Sequence, residues 1–269
     1  MDKVPVSDKD VVSLDHVAEG VVGLRIAFVN VFGVSNGTGD WTLVDAGTPL
    51  SADRIHRWAV SHFGEVPPKS IVLTHGHFDH VGALKELAEQ WNVPVYVHPL
   101  EIPYVTGQKQ YPPPDPTVGG GLMALMSPPY PRGPIDLGDR VRSFPEGQSV
   151  PDLAGWRWIH TPGHTDGHLS FVRESDRTLI VGDAFCTTKA ESLAAVATQR
   201  AELHGPPAYY TSDWDKARRS VEDLSLLRPN CVAPGHGQPM AGAEVADALS
   251  ELARNFDRVA RPRTGKYAA

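Results

Sequence analysis

Cysteine is scarce in this chain: Cys186 and Cys231 are the only two among 269 residues. Two thiols in a chain of this length give no disulfide framework, and they read as small buried groups in a protein of a reducing compartment. Long apolar runs are missing as well, since none reaches the roughly 18 residues that a membrane span requires. The opening "MDKVPVSDKD" lacks the basic flank, apolar stretch and small-residue cleavage site of a secretory signal, so a cytoplasmic location is the expectation. A surplus of positive charge is also absent. The formal net charge is -7, which disfavours a surface built to neutralise phosphates. Arg258, Arg261, Arg263 and Lys266 do form a basic cluster near the end, expected to be a solvated, fraying tail. No Walker loop and no G-x-G-x-x-G motif occurs, which leaves nothing to cradle a nucleotide phosphate. The expected partner is a small-molecule substrate, with no nucleic acid and no membrane, and homo-oligomerisation stays open.

What is present is an alternation of strand and helix signals. "LRIAFVNVFGV" and "WTLVDAG" read as strands joined through "SNGTGD", with a turn at Asn36-Gly37. Ser51 is placed to cap a helix whose apolar positions Ala52, Ile55, Trp58, Ala59 and Phe63 follow helical spacing. Strands "SIVLT" and "VPVYVH" bracket a second helix marked by Val81, Leu84, Leu87 and Ala88. The second half begins near Asp139, with strands at "WRWIH", "HLSFVRE" and "TLIVGD", then two helices separated by the apolar strand "CVAP". Two sheets with helices outside fit this order better than a single winding. Between the halves, at about 107–134, "YPPPDPTVGGGLMALMSPPYPRGP" carries too much proline and glycine for a long regular element. It reads either as a lid, with Leu122, Met123, Leu125 and Met126 as an apolar underside, or as an insertion packed on its own domain.

The chemistry concentrates in "THGHFDHVG", residues 74–82, where three histidines and an aspartate fall within six positions after an apolar strand. Imidazole and carboxylate suit zinc, iron and manganese, and alternate residues of an extended loop can turn toward different ions. His75 and His77 would take one metal, Asp79 and His80 another. Downstream, strand ends deliver His164 in "TPGHT", Asp183 in "VGD" and His236 in "PGHG". Seven donors suffice for two ions sharing one carboxylate, an arrangement suited to hydrolysis because both ions can hold one hydroxide. The competing motif "GVSNG" matches a nucleophile elbow only formally, since it leads into a strand where an elbow must lead into a helix.

As a set and in this order, "HGHFDH", "TPGHT", "GD" and "PGHG" resemble the metallo-β-lactamase-fold hydrolases. The resemblance runs from "NVFGV" and "LVDAG" to the last helix. It implies one domain over 1–269, an αββα sandwich of two mixed sheets flanked by helices, with the metals at one edge between the sheets. It also implies that His75, His77 and His164 bind the first metal, that Asp79, His80 and His236 bind the second, and that Asp183 bridges them. Asp45 matches a position that supports the metal loop from behind, and His168 matches a recurrent position expected to be structural. Between the bridging aspartate and the last ligand, where the family builds substrate contacts, lie the candidates His204, Tyr209 and Tyr210.

True β-lactamases are less similar, because they lack the bridging aspartate. Glyoxalase II-like thioesterases and acyl-lactone hydrolases are closer. Against the first pattern, Lys189 is the only basic residue in "AFCTTKAES"; against the second, Phe185 and Cys186 stand where lactonases carry a tyrosine. The function expected is a dinuclear metal-dependent hydrolase using two divalent ions, zinc before iron or manganese. A bridging hydroxide would attack an ester, thioester or lactone carbonyl, with Asp79 as the proton carrier. The alternatives are an iron-dependent redox enzyme such as a persulfide dioxygenase, a phosphodiesterase, and a non-catalytic metal-binding protein.

Overall fold

The computed structural model describes residues 4–118 and 120–268. In chain order the elements are β1 (Val4–Pro5), β2 (Val21–Ile26), β3 (Val29–Ser35), β4 (Trp41–Val44), α1 (Ala52–Phe63), β5 (Ile71–Val72), α2 (Leu84–Trp91) and β6 (Val95–Val97). The short helices α3 (Ile102–Val105) and α4 (Leu122–Leu125) precede β7 (Val141–Ser143), β8 (Trp156–His160), β9 (Leu169–Arg173) and β10 (Thr178–Gly182). Then come α5 (Leu193–Thr198), β11 (Glu202–Leu203), α6 (Trp214–Leu226), β12 (Cys231–Pro234), β13 (Met240–Ala241), α7 (Val245–Arg254) and α8 (Phe256–Val259).

One sheet has six strands in the order β2-β3-β4-β5-β6-β7, antiparallel through β4 and parallel beyond it. The other has five in the order β13-β12-β10-β9-β8, where β10 runs parallel to β12 and the remaining pairs are antiparallel. Three apolar clusters separate four layers. Ile55, Trp58, Leu84 and Leu87 of α1 and α2 pack on Leu43, Ile71 and Val95 of the first sheet. Phe32, Val44 and Val72 of that sheet face Leu169, Phe171 and Ile180 of the second. On its far side, Leu179, Val181 and Val232 meet Trp214, Val221, Leu224 and Leu249 of α6 and α7. The period of two in a strand sorts these contacts: Ile180 points between the sheets, while Leu179 and Val181 point to the helices. The architecture is the αββα sandwich, and strands buried on both faces, such as β3, read as continuous apolar runs for that reason.

Several local readings of the sequence need correcting. "LRIAFVNVFGV" is two strands, turned at Ala27-Phe28 with Ala27 in the left-handed region at φ 55° and no glycine to signal it. The first sheet runs past Asp139, because β7 pairs with β6. Ser51 does occupy the N-cap position of α1, but its hydroxyl makes no cap bond and donates instead to the Thr48 carbonyl at 2.6 Å. In the 107–134 insertion, Met123 and Ala124 are buried, but Leu122, Leu125 and Met126 are 46%, 66% and 52% exposed, so the four apolar side chains share no underside. The basic tail is not free. The Lys266 amide bonds Asp115, the Tyr267 hydroxyl donates to the Pro113 carbonyl at 3.2 Å, and Arg261 pairs with Asp215 at 2.9 Å and Asp257 at 3.4 Å. Among the described residues no helix is long and apolar enough to cross a membrane.

Candidate metal centre

Parallel neighbours end at the same edge, and this fold exploits that twice. β4 and β5 release Asp45 and the 74–82 loop side by side; β10 and β12 release Asp183 and His236. The β8–β9 connection adds His164. The loop is fastened to the β4 end, with the Ala46 amide donating to the His80 carbonyl at 2.7 Å and the Gly82 amide to the Gly47 carbonyl at 2.7 Å. A Cβ at Gly82 would lie 2.1 Å from the Pro49 nitrogen, so only glycine lets these backbones meet.

All seven candidate ligands are buried, and their donor atoms converge in three overlapping groups, each within 4.8 Å: His75, His77 and His164; His75, His80 and Asp183; Asp79, His80 and His236. In the first group, His77 Nδ1 lies 3.0 Å from His75 Nε2 and 2.9 Å from His164 Nε2. A tetrahedral ion with bonds of about 2.0–2.1 Å spaces its donors by roughly 3.3–3.4 Å, so the imidazoles are set almost at ligand spacing. Asp183 joins the groups, with its carboxylate 3.4 Å from His164, 3.4 Å from His80 and 3.2 Å from His236. Asp79 Oδ2 lies 3.5 Å from His236 Nε2. His80 Nε2 and Asp183 Oδ1 are buried without a hydrogen bond, which leaves two polar atoms of the cluster for an ion to satisfy. Nitrogen and oxygen donors with no thiolate, some lacking any other partner, fit divalent ions.

The remaining ring nitrogens fix the tautomers. The Thr211 hydroxyl donates to the Pro207 carbonyl at 2.8 Å, so it accepts from His164 Nδ1 at 3.1 Å. The Thr74 hydroxyl donates to Asp45 at 2.7 Å and so accepts from His75 Nδ1 at 3.1 Å. His80 Nδ1 donates to Asp45 at 2.7 Å, and His236 Nδ1 to the Phe28 carbonyl at 2.9 Å. With Nδ1 donating, each of these four rings turns its Nε2 toward the cluster, the arrangement that orients metal-binding histidines. Burial holds His75 and His77 well below the ordinary histidine range and takes His164 down to about 4. Burial also opposes charge on His80, but Asp183 and Asp45 reverse it and raise that ring well above the usual value. Asp183 would be raised by burial, yet His236 and His80 hold it well below the carboxylate range.

His168 uses both nitrogens elsewhere. Its Nε2 accepts from the Asp183 amide at 2.9 Å and its Nδ1 bonds Thr161 at 2.8 Å, so it positions the Asp183 backbone. Of the substrate candidates, Tyr210 stacks on His77 with centroids 4.5 Å apart. Tyr209 is buried in the core beneath α6, and His204 lies away from the cluster, bonded to Glu202 at 3.0 Å beside a different cavity. Sequence reasoning missed Glu101 and Tyr111. Glu101 is fully buried and accepts from the Gly76 amide at 3.1 Å, the Gly167 amide at 2.9 Å, the Thr165 hydroxyl at 2.8 Å and the Tyr111 hydroxyl. One carboxylate thus ties the metal loop to the His164 loop. Tyr111, from the insertion, also covers His77 at 4.4 Å. No motif flags either residue; their weight comes from tertiary contacts alone.

The layers, the sheet edge and the clustered donors together define a metal-dependent hydrolase of the αββα class. The chain belongs to the metallo-beta-lactamase superfamily, whose family model matches residues 24–236. It is 46% identical over 247 residues to the probable metallo-hydrolase YflN of Bacillus subtilis, covering 91% of this chain and 94% of that protein. The probable metallo-hydrolase YybB of the same organism is 28% identical, covering 87% and 89%. Among solved structures, the BLEG-1 B3 metallo-beta-lactamase aligns with TM-score 0.57 at 22% identity over 83% of this chain and 94% of its own, a likeness of fold. TTHA1623, solved in a di-iron-bound form, aligns with TM-score 0.54 at 26% identity over 83% and 96%.

Proposed function

We propose that the seven clustered side chains hold two divalent ions, zinc by their donor chemistry, and that the enzyme hydrolyses an ester, thioester or lactone. The observation that supports this reading is Asp183, whose Oδ2 lies 3.4 Å from His164 and 3.2 Å from His236 while its Oδ1 lies 3.4 Å from His80, so one carboxylate reaches histidines of both groups. Bound there, two ions would supply hydroxide at neutral pH and polarise a carbonyl. The chain's own residues do the rest. The His164 and His75 tautomers are locked by Thr211 and Thr74, so both rings hold Nε2 toward the cluster. Asp79, 3.5 Å from His236 in the cluster, is the carboxylate placed to take up a proton and return it to a leaving group. His77, Tyr111 and Tyr210 line a small cleft of about 30 Å³ beside the cluster, and the aromatic rings are the walls an acyl group would meet on approach.

Iron is the second reading for the ions, favoured by the di-iron form in which TTHA1623 was solved. Elemental analysis of the purified protein separates the two metals. The reaction is tested by assaying metal-replete protein on thioesters, lactones, carboxylic esters, phosphodiesters and β-lactams. Turnover of one carbonyl class supports the proposal, whereas cleavage of phosphodiesters alone overturns it.

A further inference from the structure

A second cavity, of about 510 Å³, lies between the pinned tail and the segment that follows the shared aspartate, and none of the seven clustered donors lines it. Lys189, Arg258, Arg261 and Arg263 reach it, as do His204 and Glu191. Arg261 is committed to Asp215 and Asp257, and Glu191 accepts from the Ala208 amide at 2.6 Å. Among the described residues Lys189, Arg258 and Arg263 make no ion pair or side-chain hydrogen bond. With Arg261 paired and Glu191 the one carboxylate among the lining residues, three cations against one anion give this concavity a local positive excess in a chain whose net charge is -7. They are not the residues of a fraying end, because the Lys266 amide on Asp115 and the Tyr267 hydroxyl on the Pro113 carbonyl hold the tail against the insertion. An anion seated in this cavity would gain charge-assisted hydrogen bonds from side chains that lack another ionic partner. The volume lies within the range of small-ligand sites.

We propose that this cavity binds a small anion, a phosphate- or carboxylate-bearing molecule, through Lys189, Arg258 and Arg263. The reading does not depend on the reaction at the metal centre. It is tested by titrating the metal-loaded protein separately with inorganic phosphate and with succinate while amide shifts are followed by NMR. The expected result is saturable shifts at His204, Gly205 and residues 258–264, weakened about tenfold or more in Arg258→Ala/Arg263→Ala. Lys189→Gln, a single change, provides an independent check with the same expected direction. Saturation by phosphate alone assigns a phosphoryl ligand and by succinate alone a carboxylate ligand, either of which supports the site. No saturable shift with either anion, shifts confined to residues 75–80, or affinities unchanged in both variants overturn it.

Discussion

Replacing Glu101 by glutamine probes how firmly the two ligand loops are joined. The carboxylate has two oxygens, and each accepts from one backbone amide, Gly76 on one and Gly167 on the other. The hydroxyls of Tyr111 and Thr165 can rotate to suit a new partner, but backbone amides only donate. Whichever way the new side-chain amide is turned, its NH2 group meets one of those N–H groups head on. One buried donor is then left without an acceptor, which costs about 1–3 kcal/mol. In a chain of this size each kcal/mol lowers the melting temperature by roughly 2–4 °C. The loss falls on the loops carrying His75, His77 and His164, so turnover should drop even when the ions are still bound. Calorimetry of the metal-loaded protein, with elemental analysis and turnover on the same sample, measures all three. A Glu101→Gln enzyme with the native melting temperature and full activity would refute the reasoning.

Two further expectations concern the site itself. Asp79→Asn should keep the fold, seen as an unchanged far-ultraviolet spectrum, and lose turnover by at least about a hundredfold, since it removes the group assigned to proton transfer; an active variant contradicts that role. Protein stripped of metal by a chelator should lose stability as pH falls from 6.5 toward 4. Burial holds His75, His77 and His168 well below 6.5 and His164 at about 4, so in that window the unfolded chain takes up protons that the native chain refuses. His80 and His236 are raised, so they are already charged on folding and add nothing to this loss below 6.5. Denaturant titrations across the window check the sign, and stability that rises with acid would contradict it.

Much of this was legible in the chain because strand ends announce themselves. "SIVL", "LIVGD" and "CVAPGH" are apolar runs that stop at donor residues, and the six-residue loop is too dense in ligand types to be packing. The layers were also readable, since α1, α2 and α6 carry apolar faces at helical spacing. What escaped has a common cause. The two-residue strands β1, β11 and β13 have no periodicity to detect, and the Ala27-Phe28 turn lacks a turn residue although its Phe28 carbonyl holds His236. Glu101 sits 25 positions from Gly76 and 66 from Gly167, so nothing local marks it. The basic tail read as solvated because its partners Asp115 and Pro113 lie about 150 residues away.

Anomalous diffraction from crystals of the protein as purified, recorded at the absorption edge of the metal found, tests the central claim most directly. The account predicts two peaks per chain, one ringed by His75, His77 and His164 and the other by Asp79, His80 and His236, with Asp183 between them. A single peak, or ions lodged outside this cluster, would contradict it.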